Sequence, residues 1–481
     1  MSANTPRTRS NRRPTGMSRE PFGYRMRSPD AVFSVTCAFF FSVFLLGGGS
    51  RGDILSLIVL RPAAVLFAGY AIWVLKGYPI RHFGPPQWLL AFLMAWMALQ
   101  LVPLPHMLWS TLPGRELILA NDRAAGFPEL ARPLSLSPSR TWNSLFSLAV
   151  PFATFLLVAA SGVQRTARLL LPVLAMAAAS ALFGILQVLG PSGEPFHLYR
   201  ITNPDNPVGM FSNRNHHAIF LASLIPLLGY FALRPDPSAQ NRPLILAGAL
   251  GSILLIIPLL LVTGSRSGAL LLLVAIAFAA ILWLRYQRTP ARGRGRGGQR
   301  DRRKLFLALG GGGAVIAMVG ATYFASRSVA LDRLFESELD GDLRMRILPQ
   351  LWEMAAGYFP AGSGFGTFEL AYKTIEPFEL LRTSYLNQAH SDVIQLVIEG
   401  GLPGLLLMIA FMGWFAVAGF RAWPNDRASS GVRVAPFAWS SLALLLAGSI
   451  ADYPLRTPSL MAYAALLCCL VAERRNEQTN D

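Results

Sequence analysis

The stretch that decides the fold is PLILAGALGSILLIIPLLLVTGSRSGALLLLVAIAFAAILWL, residues 243–284. It contains two apolar runs, each long enough to cross the roughly 30 Å hydrocarbon core of a bilayer. The runs meet at T-G-S-R-S-G, residues 263–268, where Arg266 is the only charged side chain of the whole stretch. The pattern predicts two membrane-spanning helices joined by a sharp turn, or one element broken at residues 264–268.

Similar apolar runs recur along the chain. Of the 481 residues, 53% are hydrophobic and 14% are charged, a balance typical of a protein whose solvent is a bilayer. We predict an all-α, polytopic membrane protein with about 12 transmembrane helices in a membrane domain at 31–472. The spans are expected near residues 31–48, 54–75, 87–104, 142–160, 168–190, 215–233, 243–263, 268–284, 305–325, 401–420, 435–451 and 457–472.

The distribution of Lys and Arg predicts the orientation. With both termini in the cytoplasm, most basic residues fall on the cytoplasmic side, including nine in the loop 285–304. We interpret this loop as a solvated topogenic segment near anionic lipid, so the net charge of +17 reflects topology and no nucleic-acid partner is expected. Residues 1–30 are predicted to be an uncleaved, disordered basic cytoplasmic tail, and residues 473–481 a second cytoplasmic tail.

Function is expected in the long polar stretches on the outer side. The first is the outer loop 105–141, whose piece HMLWSTLPGRELI is predicted to lie along the membrane surface. The second is the large, mostly helical outer loop 326–400, broken at G-S-G-F-G, residues 362–366. A tight turn explains this string better than a dinucleotide-binding loop, because no strand precedes it. All three cysteines lie inside predicted spans, which argues against disulfides and a cysteine metal site.

Two polar clusters lie at span ends. Arg266, flanked by serines and glycines, suits an anion, although a turn whose arginine reaches lipid phosphate explains it equally well. In F-S-N-R-N-H-H, Asn213, Arg214 and Asn215 either contact sugar hydroxyls or cap the next helix. The two adjacent histidines point about 100° apart on a helix, so we expect no metal site there.

The third cluster is A-H-S-D-V-I-Q-L-V-I-E-G-G-L-P-G, residues 389–404. On a continuous helix, Asp392, Gln395 and Glu399 share one face, whereas His390 lies on the other face and points inward. A lone inward histidine is more often structural than catalytic. Glu399 is not expected to orient His390 unless the helix breaks.

Four pieces together resemble one family. They are S-R-S-G at 265–268, R-M-R-I-L-P-Q-L-W at 344–352 followed by P-A-G-S-G-F-G-T-F, the stretch 389–404, and G-M-F-S-N-R-N-H-H-A-I-F-L-A-S-L-I-P-L at 209–227. In their order and spacing they resemble the O-antigen ligase and Wzy-type polymerase superfamily over residues 200–420.

The resemblance implies a metal-independent, inverting glycosyltransferase of the bacterial inner membrane, working without cofactors at the periplasmic face among membrane lipids. The donor would be a glycan on undecaprenyl diphosphate. The acceptor would be lipid A-core for an O-antigen ligase, or a lipid-linked glycan for a polymerase of O-antigen, capsule or exopolysaccharide.

The resemblance also assigns roles to residues. His390 would be the base, because histidine suits proton transfer near neutral pH. Arg266 and Arg344 would bind the diphosphate, with Arg346 as the alternative because the following Trp is spaced differently from the family pattern. Ser391 stands where the family usually has Asn, which leaves open what holds the imidazole.

Two other classes are compatible with the helix count. A transporter would place ionisable residues near the middle of the membrane, often in matched repeats. Here Arg61 is the one charged residue away from span ends, and no internal repeat is evident. A non-enzymatic scaffold for polysaccharide assembly would tolerate substitution of both His390 and Arg266.

Overall fold

The protein is described here from a computed structural model that covers residues 26–76, 83–190, 196–204, 206–234, 242–287, 338–381, 385–423 and 432–473. This part of the chain is mostly helical. The helices are α1 (Pro29–Leu46), α2 (Ser56–Leu75), α3 (Pro85–Leu99), α4 (His106–Trp109), α5 (Glu116–Ala124), α6 (Pro138–Ser147), α7 (Ala149–Ala160), α8 (Val163–Thr166), α9 (Leu170–Leu189), α10 (Arg214–Leu233), α11 (Arg242–Val262), α12 (Arg266–Gln287), α13 (Glu338–Tyr358), α14 (Phe368–Tyr372), α15 (Asp392–Ala422), α16 (Ala435–Ala451) and α17 (Pro458–Ala472). Short 3₁₀ turns occur at Ala167–Leu169, Phe378–Leu380 and Pro454–Arg456, and β1 (Pro103–Leu104) pairs antiparallel with β2 (Arg132–Pro133).

Eight helical segments of the described residues are long and apolar enough to cross a membrane. They are Pro29–Leu46, Ser56–Leu75, Pro138–Ala160, Ala167–Leu189, Arg214–Leu233, Arg242–Val262, Arg266–Tyr286 and Asp392–Ala422, and the shorter apolar helices are α3, α16 and α17. Each overlaps a predicted span, so the helical, multi-pass class is confirmed. The predicted span 305–325, residues 288–304 of the basic loop, residues 326–337 of the second outer loop and most of both tails lie outside the described residues. The count of twelve therefore stays a prediction.

Helix α10 is the centre of the bundle. It is buried along most of its length and packs against α11, α12 and α16, as expected of a helix that is apolar on all sides. Gly268 of α12 permits the close approach, since a Cβ there would lie 2.5 Å from the Cβ of Ala218. The beginning of α10, which carries the F-S-N-R-N-H-H cluster, is thus surrounded by other helices.

The two long polar stretches, 105–141 and the described part of 326–400, pack against each other. The amide of Leu136 donates to the carbonyl oxygen of Ser363 at 2.9 Å. Arg115, which is fully buried, donates to the carbonyl oxygens of Leu134 and Gly362 at 2.8 and 2.9 Å. Burial lowers the pKa of Arg115 to about 10. The first polar stretch therefore supports the glycine-rich turn of the second.

The G-S-G-F-G string forms the predicted tight turn. Gly362, Gly364 and Gly366 all have positive φ angles, of 81°, 100° and 82°. The turn fits against a kink in α15, where Gly401 has a φ of 61°. A Cβ on Gly362 would lie 2.5 Å from the carbonyl oxygen of Glu399, so the turn and the kink interlock.

The ends of seven helices converge at one end of the bundle. The amides of Ser212 and Ser459 donate to the carbonyl oxygens of Gly48 and Gly47 at 3.1 and 3.0 Å, just after α1. The amide of Asp392, at the start of α15, donates to the carbonyl oxygen that follows α16 at 3.2 Å. This end, which also receives the α11–α12 junction and the start of α10, carries the site described next.

Candidate active site

A cavity of about 320 Å³ opens where these helix ends meet. Five of the residues that the sequence singles out line it together: Arg266, Asn213, Arg214, Asn215 and His390. The other lining residues are Ser50, Arg51, Ile201, Thr202, Asn203, Ser212, Gly264, Ser267, Tyr385, Asn387 and Tyr453. Residues from opposite halves of the chain thus surround one space.

His390 precedes helix α15 and does not lie on it. The helix begins at Asp392, and Ser391 is its N-cap, accepting from the amide of Ile394 at 3.4 Å. The prediction that His390 points inward from a continuous helix is therefore wrong. Its φ of 50° turns the chain so that the imidazole lines the cavity, with 24% of the side chain exposed. Positive φ is uncommon for a residue with a Cβ, and such strain clusters at functional sites.

Asp452, between α16 and α17, is the carboxylate that faces this imidazole. Its Oδ1 lies 3.8 Å from His390 Nδ1 and 3.7 Å from His216 Nε2. Asn215 Nδ2 donates to its Oδ2 at 2.6 Å, and the amide of Tyr453 donates to Oδ1 at 2.9 Å. Burial acts to raise the pKa of Asp452, but the neighbouring imidazoles outweigh burial and hold the pKa well below its usual range. A buried, ionised carboxylate of this kind orients an imidazole and stabilises its protonated form.

The F-S-N-R-N-H-H cluster supports the start of α10. Asn213 accepts from the amide of Asn215 at 2.8 Å, which confirms its capping role. The two histidines contact different partners: His216 Nδ1 lies 2.9 Å from Thr457 Oγ1, and His217 Nδ1 lies 3.0 Å from the carbonyl oxygen of Pro207. Both rings are fully buried, so they pack in the protein interior behind the cavity.

Two arginines of the cavity stand at helix starts. Arg266 is the first residue of α12; Ser265 Oγ accepts from the amide of Gly268 at 3.1 Å, and the side chain of Arg266 is exposed. Arg214 is the first residue of α10 and donates to Asn206 Oδ1 at 3.3 Å. Helix N-termini and guanidinium groups both favour anions, so this wall suits a phosphate group.

Arg51 adds a third guanidinium that sequence reasoning missed. It lies in the turn between α1 and α2 and donates to both carboxylate oxygens of Asp53, at 3.0 and 2.8 Å. It also donates to the hydroxyl of Tyr385. The hydrogen bond with Asp53 raises the pKa of Arg51, so the side chain is held charged and in place.

The two loop arginines lie on α13, which packs against α15 through Ile347, Leu351 and Ile398. Arg346 is exposed and is not among the residues that line the cavity. The side chain of Arg344 lies outside the part of the chain that the structure describes.

The shared face of Asp392, Gln395 and Glu399 is confirmed, and it forms a buried ionic network. Arg456 Nη2 donates to Glu399 Oε2 at 3.0 Å, and its Nε lies 3.4 Å from Asp392 Oδ1. Glu399 is fully buried, and its Oε1 accepts from Gln395 Nε2 at 3.0 Å and from the amide of Phe368 at 3.2 Å. The network joins the kinked helix and the glycine turn to the segment that carries Asp452.

A sequence signal existed for the residues that were missed. Asp452 and Arg456 belong to D-Y-P-L-R-T-P, residues 452–458, a charged string between the last two predicted spans. Arg51 belongs to G-G-G-S-R-G-D, residues 47–53, between the first two.

Comparison with known proteins agrees with the motifs. The family model Wzy_C, described as O-antigen ligase, matches residues 250–409. This segment contains Arg266 and His390, whereas Arg51, Arg214 and Asp452 lie outside it. No curated protein matches the chain. Members of the matched family are glycosyltransferase-like ligases or polymerases. The match confirms the motif resemblance: residues 250–409, about a third of the chain, match the O-antigen ligase model, which supports the O-antigen ligase and Wzy-type polymerase superfamily.

Proposed function

We propose that this protein transfers a glycan from undecaprenyl diphosphate to an acceptor hydroxyl in the cavity described above. One observation carries the proposal: a single cavity brings together three arginines and a histidine backed by a buried carboxylate. As an O-antigen ligase it would use lipid A-core as acceptor. As a polymerase of O-antigen, capsule or exopolysaccharide it would use a lipid-linked glycan.

The arginines take the role of charge stabilisation. When the bond between the anomeric carbon and the phosphate oxygen breaks, the diphosphate leaves with the electron pair and gains negative charge. Arg51, Arg214 and Arg266 surround the space in which that charge would develop, and fixed guanidinium groups in a sheltered site stabilise it without a metal ion or a cofactor.

His390 takes the proton. The acceptor hydroxyl gives its proton to the imidazole, and its oxygen forms the new bond to the anomeric carbon from the side opposite the diphosphate, which inverts the configuration. The resulting imidazolium is stabilised by Asp452. Its Oδ1 lies 3.8 Å from His390 Nδ1, longer than a hydrogen bond, and such pairs commonly tighten when substrate binds.

We place the cavity at the periplasmic face of a bacterial inner membrane, with both termini cytoplasmic. Arg266 begins α12 at the cavity, whereas Arg285, where the basic loop starts, lies near the other end of that helix. Likewise α1 ends and α17 begins beside the cavity. The start of α1 and the end of α17, which lead to the two termini, therefore lie away from the cavity. The positive-inside rule assigns the basic end to the cytoplasm.

The test is complementation of a gene deletion in the host, with surface glycans separated on a gel. Loss of a ligase leaves finished polymer on the carrier lipid, and loss of a polymerase leaves single repeats on the acceptor. Wild type and the control His106→Gln, which changes a histidine outside the cavity, should restore the glycan. His390→Gln and Arg266→Ala should reach the membrane without restoring it. Full restoration by both would instead fit a transporter or a scaffold.

A further inference from the structure

Helix α2 carries a charged residue inside a membrane span. Arg61 is the sixth residue of α2, so it lies about 8 Å from the helix start at ~1.5 Å per residue. Its guanidinium donates to the side-chain oxygen of Asn143 on α6, and its buried Nε has no hydrogen-bond partner. Among the described residues no acidic side chain pairs with it. A positive charge balanced only by a neutral amide is costly in a membrane and marks a functional site.

The surroundings of Arg61 suit a lipid. On α6, Trp142, Phe146 and Asn143 fall within about 100° of each other around the helix axis. Trp142 and Phe146 stack with ring centroids 5.4 Å apart, and their side chains are 47% and 53% exposed. A cation thus lies beside an exposed, flat apolar surface, which matches a molecule with an anionic head and a hydrocarbon chain.

This position is continuous with the cavity. Gly52 packs directly against the Asn143 side chain, where a Cβ would collide with the amide nitrogen. Gly52 follows Arg51, which lines the cavity. One tight turn therefore separates the Arg61–Asn143 pair from Arg51, the nearest of the cavity arginines along the chain.

We propose that Arg61 and Asn143 bind the diphosphate headgroup of a lipid substrate at the lateral edge of the cavity, with its hydrocarbon chain against Trp142 and Phe146. The headgroup then passes across the Arg51 turn to Arg214 and Arg266. The role of this lateral site rests on the proposed function. Ordinary phospholipids also carry a phosphate group. The experiment therefore compares a lipid diphosphate with a phospholipid.

The test measures binding of sugar-free undecaprenyl diphosphate, and separately of phosphatidylglycerol, to the purified full-length protein by native mass spectrometry. Arg61→Gln should weaken diphosphate binding about tenfold, the effect of losing a hydrogen bond to a charged group, and leave phosphatidylglycerol binding unchanged. Arg61→Lys, which keeps the charge, should retain most of the affinity. The control Arg168→Gln changes an exposed arginine at the start of another span and should have no effect.

Undiminished diphosphate binding by Arg61→Gln would overturn the inference, and so would equal losses for both lipids, which would mark a general phospholipid contact. If wild type itself bound no lipid diphosphate, the proposed function would fail instead, so the two failures are distinguishable.

Discussion

Replacing Asp452 by Asn removes one negative charge and almost no volume. In the proposed reaction this charge matters most when His390 has taken the proton, since imidazolium and carboxylate then face each other. Asp452 is fully buried and does not line the cavity, so the substitution leaves the substrate-contacting surface intact. We therefore expect kcat to fall and KM for the donor to stay nearly constant.

The size of the effect follows from the distance. Two unit charges 3.8 Å apart in a medium of effective dielectric constant about 20 attract by about 4 kcal/mol. His390 is 24% exposed, which admits solvent screening, and the proton is only partly transferred in the transition state. About half of the attraction, ~2 kcal/mol, remains, which corresponds to a roughly 30-fold lower kcat.

The assay is glycan transfer by purified protein in lipid vesicles, with initial rates at varied donor concentration. Asp30→Asn is the control, because Asp30 is 91% exposed and lies at the start of α1, away from the cavity. A kcat for Asp452→Asn within twofold of wild type, at an unchanged melting temperature, would refute the assignment of Asp452 as the partner of His390.

Three further substitutions test other parts of the account. Arg266→Ala should lower kcat/KM for the donor about 10- to 100-fold in the same assay, because it removes a charged contact to the diphosphate whose charge grows as the bond breaks; an unchanged kcat/KM would contradict that role. Gly401→Ala forces a positive φ and a backbone clash on a residue with a Cβ, at a cost on the order of 1–3 kcal/mol, and should lower the melting temperature, whereas Gly413→Ala on the same helix, with open space around it, should not. Arg456→Met leaves the buried carboxylate of Glu399 without its cation and should destabilise the protein by about 3 kcal/mol, measured by thermal unfolding in detergent. Adding Glu399→Gln should recover part of that loss, because Glu399 then carries no charge while Asp392 still lacks the cation; no recovery would contradict the ionic network.

The membrane helices were predictable because a single property, an apolar run of sufficient length, specifies each one. The predicted span 435–451 has the bounds of α16, and the span at 54–75 differs from α2 by two residues at its start. The turn at 362–366 was predictable as well, since closely spaced glycines indicate positive φ angles.

The conformation at His390 was predicted wrongly for a local reason. Periodicity from Asp392 to Glu399 indicates a helix, and extending it back by two residues places His390 on it. Serine is a favoured N-cap residue, and this preference indicates that the helix begins after Ser391 and does not include His390. That a histidine is present indicated a candidate base, whereas the direction of the His390 side chain depended on which residue caps the helix.

The partners of the site depended on which spans are neighbours, and hydropathy carries no such information. Asp452 lies far from His390 in sequence. The two meet because the start of α15 and the end of α16 lie at the same level of the bundle. The same holds for Arg51, which reaches the cavity from the first turn of the membrane domain. The charged strings at 47–53 and 452–458 are visible in the sequence, but nothing in them assigns both segments to one site.

The most direct test of the central claim, that this cavity is where a glycan is transferred, is the single-turnover rate of His390→Gln measured under donor concentrations that saturate binding. Loss of a general base predicts a rate at least 100-fold below wild type, with donor affinity preserved and with His106→Gln unaffected. A single-turnover rate for His390→Gln equal to that of wild type would contradict the account.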